Sequence, residues 1–113
     1  MHIINIESGM PTVEEAREKL KTQLLKAKQG NKKLIKIIHG YGSSGKGGIL
    51  KAAIRKSLVH RRKEGLVKTI IWGEYFSKDK QETKELLKRH PALKKDKDLD
   101  RMNEGITIVE LLY

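Results

Sequence analysis

Residues 34–50 read LIKIIHGYGSSGKGGIL, and the fold is decided in this stretch. Leu34 to Ile38 is a short aliphatic run, β-branched at Ile35, Ile37 and Ile38, and reads as a strand. Five glycines then fall within the nine residues 40–48, a density that no regular element tolerates at ordinary cost. Beyond them Ile49, Leu50, Ala53, Ile54 and Leu58 recur at helical spacing, and Gly65 closes that helix. A strand, a glycine-rich loop and a helix N-terminus in succession form an anion site. Backbone N–H groups converge in the loop, and the helix dipole adds partial positive charge. Lys46 brings a full charge to the same place. A plain connection would need only a few residues, so the loop reads as a ligand site rather than a bare turn.

Upstream, Ile3, Ile4 and Ile6 make a first strand that ends before Gly9 and Pro11. Thr12 and Glu15 stand at capping-box spacing. Val13, Ala16, Leu20, Leu24 and Ala27 then give one apolar helix face, closed by Gly30-Asn31. Downstream, Leu66 to Trp72 is a third strand and Ile106 to Leu111 a fourth. Between them, residues 74–103 form a charged, apolar-poor insertion. Within it Asp79 and Glu82 are placed to cap a short helix that runs to about Arg89 and stops at Pro91. The insertion is therefore expected to be a peripheral helix with a mobile loop. The order is βαβαββ, and alternating βαβ units imply parallel strands. With only two main helices, the expected architecture is an α/β (α+β) two-layer sandwich, with one mixed four-stranded sheet.

A length of 113 residues fits a single domain, 1–113. The absence of cysteine excludes a disulfide scaffold and thiolate metal sites, and it fits the reducing cytoplasm. No signal peptide and no bilayer-spanning apolar run is present, so a membrane partner is not expected. The formal net charge is +11, and it is unevenly placed. Residues 32–73 hold eleven Lys and Arg against one acid, Glu64, whereas 74–103 hold nine bases and seven acids. A local field of this kind attracts polyanions, of which nucleic acid is the commonest for a soluble domain.

Two readings of the loop compete. Gly40-x-x-x-x-Gly45-Lys46 matches most of a nucleotide P-loop, but Gly47 stands where a Ser or Thr should hold Mg²⁺. No strand-end aspartate follows for the metal, Trp72-Gly73-Glu74 being a poor substitute. Binding of a nucleotide or other small phosphate ligand through 40–47 is thus the weaker alternative.

The stronger reading rests on three blocks. His39-Gly40-Tyr41-Gly42, preceded by Leu34 to Ile38 and followed by a basic helix, resembles the Smr domain, whose second strand ends in a His-Gly-x-Gly loop leading into a helix. Thr12-Val13-Glu14-Glu15-Ala16 is similar to that family's first helix start, and Gly105 to Leu111 to its last strand. The resemblance implies the fold of the C-terminal domain of translation initiation factor three, with two helices on a four-stranded mixed sheet. It also implies nucleic-acid binding, with DNA nicking or RNA cleavage in some branches. Smr domains occur at the C-terminus of one branch of bacterial MutS proteins and as stand-alone chains. Three features depart from the family. Its first strand usually ends in Leu-Asp-x-His-Gly, where this chain reads Ile4-Asn5-Ile6-Glu7-Ser8-Gly9. The glycine loop is longer, and 74–103 is a long insertion.

The candidate chemistry follows. His39 at the strand end is a candidate general acid or base, and Glu7 lies near it if the first two strands are neighbours. Gly40, Tyr41, Gly42, Ser43, Ser44, Gly45, Lys46 and Gly47 are candidates to meet a phosphate. Lys51, Arg55 and Arg62 share a helix face and would position a backbone without reading sequence. Tyr41 is a candidate to stack on a base, and Trp72 reads as core or sheet edge. His2, His60 and His90 form no metal-ligand pair, so no structural metal and no cofactor is expected, beyond a transient Mg²⁺ bridging Glu7 and a phosphate. Residues 77–103 are the candidate surface for a protein partner.

Overall fold

The computed structural model describes residues 1–40 and 46–112, with the backbone alone for 46 and 47. The elements run β1 (His2–Asn5), α1 (Val13–Gln29), β2 (Leu34–Ile38), α2 (Lys46–Lys63), β3 (Val67–Trp72), α3 (Gln81–Arg89) and β4 (Ile106–Leu111). Short 3-10 turns at Gly73–Tyr75 and Pro91–Lys95 flank α3. The four strands form one mixed sheet in the order β1-β2-β4-β3. β1 and β2 are parallel, joined by α1 as expected of a βαβ unit. β4, last in sequence, enters between β2 and β3 and is antiparallel to both. The sheet is therefore mixed, as expected, with one antiparallel central strand that splits the second βαβ unit.

Capping and burial explain the helices. Thr12 Oγ1 accepts from the Glu15 N–H at 3.1 Å, and Glu15 Oε1 accepts from the Thr12 N–H at 2.9 Å, so the capping box forms as its spacing predicts. Asn31, just after α1, takes a positive φ of 57°, which asparagine tolerates better than most residues. Ala16, Leu20, Leu24 and Ala27 of α1 are buried with Leu50, Ile54 and Leu58 of α2. They pack on Ile4, Ile35, Ile37, Val67, Ile70, Val109 and Leu111 of the sheet. Ile49, placed in the apolar arc by its spacing, is instead 59 % exposed at the start of α2. Its neighbour Leu50 faces the core.

The insertion is the main correction. Far from being peripheral, it covers the face of the sheet opposite α1 and α2. Phe76, Leu86, Leu87, Leu93 and Leu99 bury against Ile71, Ile106 and Ile108. Few apolar residues suffice because α3 presents one sharply segregated face, with Thr83, Leu86 and Leu87 inward. The two-layer sandwich of sheet and main helices thus gains a cover on its second face. Asp79 does not cap α3. The N-cap is Lys80, with no side-chain bond, and the Asp79 carboxylate takes the Ser77 hydroxyl instead.

Two buried charges of opposite sign hold this cover in place. Lys36 of β2 is 4 % exposed, and its Nζ meets Asp96 Oδ1 at 2.7 Å and Asp98 Oδ2 at 2.5 Å. Burial pulls its pKa down, but hydrogen bonds to both aspartates outweigh that and leave it raised. Glu110 of β4 accepts from Arg89 Nε at 3.0 Å and NH2 at 2.9 Å, His90 Nε2 at 2.9 Å and Thr69 Oγ1 at 2.8 Å. Thr69 reaches Glu110 because a bulge between Val67 and Thr69 shifts the register of β3.

Candidate functional site

Parallel pairing of β1 with β2 sets the ends of these strands side by side, with Asn5 opposite Ile38. The chain after β1 stays on β2, because the Ile6 and Glu7 N–H groups both donate to the Ile38 carbonyl, at 2.8 and 3.2 Å. The Glu7 carboxylate consequently lies against Gly40. A side chain at Gly40 is disfavoured by its φ of +76°, and a Cβ there would also push the end of the Glu7 side chain aside. Glu7 is exposed, so the expected juxtaposition of Glu7 with the His39-Gly40 corner forms at the surface. Asn5, at the position of the family's aspartate, instead accepts the Ser8 N–H through Oδ1 at 2.9 Å.

His39 is wholly buried. Nδ1 lies 2.7 Å from the Gly40 carbonyl and Nε2 lies 2.9 Å from Thr107 Oγ1. A carbonyl only accepts, so Nδ1 carries the proton, and the neutral ring receives the Thr107 hydroxyl at Nε2. Burial pushes the His39 pKa down. The Gly40 contact opposes this, whereas the nearby Arg55 and Lys51 charges add to it. Both ring nitrogens are engaged within the chain. The His39 and Gly40 N–H groups donate to the Gly105 carbonyl at 3.0 and 3.1 Å. The Gly40 amide, a candidate phosphate donor, already has this partner. Tyr41, Gly42, Ser43, Ser44 and Gly45 lie outside the described residues, as do the side chain of Lys46 and the surroundings of Gly47.

The basic face of α2 forms, but two of its cations are paired. Arg55 NH2 meets Glu74 Oε1 at 2.5 Å, and its guanidinium stacks 4.7 Å from the Trp72 ring centroid. Lys51 Nζ meets Glu104 Oε1 at 2.9 Å. Burial raises the Glu74 pKa, but the Arg55 hydrogen bond and charge leave it lowered. Arg62 is exposed and has no ion-pair partner among the described residues. Glu74, at the start of the insertion, and Glu104, just after its end, thus belong to the site although sequence reasoning did not place them there. Thr107 was missed as well, although it and Glu110 are the two polar residues of the wholly buried strand β4. Among the described residues no group of three or more His, Asp and Glu could hold a metal ion, and no helix is long and apolar enough to cross a membrane.

This arrangement can hold an extended anion. Two partly buried cations of α2, each paired with a carboxylate from outside the helix, lie close to the His39-Gly40 corner. The family model described as Smr domain matches residues 8–75, which span α1 to the turn after β3. Among solved structures, the chain is similar to the crystal structure of the Smr domain of Thermus thermophilus MutS2. The TM-score is 0.60 at 20% identity, with 100% of each chain covered. A comparison with curated proteins found no match.

Proposed function

The chain belongs to the Smr domain family, and from that membership we propose that it binds structured DNA or RNA along the sugar-phosphate backbone, through α2 and the corner where β2 leads into it. One observation carries this reading. The 18 residues of α2 include seven Lys and Arg and no acid, whereas α1 mixes both signs. Phosphate contacts of this kind fix position and carry no sequence information. In the free chain, the Glu74 and Glu104 carboxylates occupy the place of phosphate oxygens on Arg55 and Lys51. A phosphate takes over each cation on binding.

His39 is a positioning residue in this scheme. It ties the Gly40 carbonyl to Thr107 and so fixes the corner that leads into the loop. A second reading, strand cleavage, is favoured by the exposure of Glu7 beside Gly40. Its carboxylate meets solvent and could take a proton from water or a 2′-hydroxyl.

The test is titration of labelled duplex DNA, branched DNA and an RNA hairpin, with each sample then run on a denaturing gel. Binding that weakens about tenfold in Lys51→Ala and Arg55→Ala, a usual loss for a charged contact, supports the interface. Unchanged affinity in both variants removes it. Cleavage lost in Glu7→Gln makes the chain a nuclease, and no cleavage in the wild type leaves a binding domain.

A further inference from the structure

Beyond Trp72 the molecule has a groove of about 490 Å³, which shares Arg62 with the basic face of α2. It follows the outer edge of β3, between the end of α2 and the first turn of α3. Arg62, Ile70, Trp72, Tyr75, Lys80 and Glu82 are among its lining residues. Its size falls within the range of small-ligand sites, ~300–1,000 Å³. Tyr75 is 53 % exposed, in a chain with only one Trp, three Tyr and one Phe. The Lys80 ammonium lies 5.9 Å from the Tyr75 ring centroid, within cation–π reach. Arg62 and Lys80 outnumber the acid Glu82, so the groove is net basic.

An exposed aromatic ring flanked by cations is how single-stranded nucleic acid is held. A base stacks on the ring and its phosphates meet the cations. Within a paired duplex no base face is free except at the two ends. A peptide strand added along β3 fits less well, because this edge is bulged between Val67 and Thr69 and carries the exposed Lys68. Both features discourage strand addition. The groove also adjoins the proposed backbone site, since Trp72 lines it while stacking with Arg55.

We infer that this groove is a subsite for an unpaired nucleotide, stacked on Tyr75, so that the preferred substrate carries a single-stranded segment next to a helix. The inference rests on the nucleic-acid reading above. Trp72 is the only tryptophan, and because it lines the groove and also stacks with Arg55 its fluorescence reports binding at either place. The full chain would be titrated with a blunt DNA duplex and with the same duplex bearing a short thymidine overhang. The expected result is about tenfold tighter binding of the overhang form, the order of one base–aromatic stack. Tyr75→Ala should abolish the gain and leave the blunt-duplex affinity unchanged, and Tyr75→Phe should keep the gain. An unchanged thermal midpoint would show that both variants are folded. Equal affinity of the wild type for the two duplexes overturns the subsite, as does a gain that survives Tyr75→Ala. If neither duplex binds at all, the backbone reading itself fails.

Discussion

The neutral ring of His39 is held between the Gly40 carbonyl and the Thr107 hydroxyl, and this gives the residue a measurable signature. Thr107→Val keeps the shape but leaves Nε2 buried without a donor, at a cost of about 1–3 kcal/mol, readable by chemical denaturation. The pH dependence has a definite sign. Burial holds the His39 pKa below its ordinary value of 6.5, so below that pH the unfolded chain takes a proton that the folded chain refuses. Stability attributable to His39 is complete above pH 6.5 and falls as the pH drops toward the folded pKa, by at most about 1.4 kcal/mol per pH unit. The difference in unfolding free energy between wild type and His39→Gln, followed from pH 7 to pH 5, should show this fall. A pH-independent difference would mean that the ring is not buried neutral. The strand-end position of His39 was legible from the aliphatic run before it and the glycines after it. Its burial was not, because the partner Thr107 lies 68 residues away in sequence.

At the scale of elements, the insertion separates what sequence reading reaches from what it misses. α3 and its stop before Pro91 followed from local signals, as did the capping box of α1. The docking of the insertion did not, because it depends on a pairing of charges across the fold. A lysine inside the aliphatic run Leu34–Ile38 was the visible trace of it, and only the fold shows that Asp96 and Asp98 answer it. Removing one partner of such a pair leaves the others buried and uncompensated. Lys36→Met should therefore cost about 3–5 kcal/mol in urea unfolding, and an unaffected midpoint would mean that the insertion docks by its leucines alone. Glu110 gives the same face an acid limit. Burial pushes its pKa up, but the Arg89, Thr69 and His90 hydrogen bonds overcome this and set it at about 2. The resulting stabilisation, about 3 kcal/mol, is present above the ordinary carboxyl pKa of 4.5 and is lost as the pH falls through about 2. Glu110→Gln should flatten the acid limb of the stability profile over that window.

For the whole molecule, the +11 charge and its concentration in residues 32–73 were fully legible, because charge counting needs no fold. The ion pairs that occupy Lys51 and Arg55 were not, since Glu104 and Glu74 come from distant or connecting segments. Binding that neutralises about four phosphates would give a slope near −3.6 for log affinity against log salt on duplex DNA. Glu104→Gln removes an internal competitor for Lys51 and should tighten binding a few-fold at low salt. Weaker binding in that variant would mean that Glu104 holds Lys51 in its working position rather than competing for it. The central place of β4 has a further consequence, for the order in which the chain folds. Its partners in β2 lie about seventy residues earlier, so until β4 docks the sheet is two halves with an open slot, and both slot edges offer unpaired backbone. Non-local pairing of this kind slows folding and leaves intermediates prone to associate. The insertion immediately precedes β4 and packs on the same sheet, so its collapse shortens the search that brings β4 home.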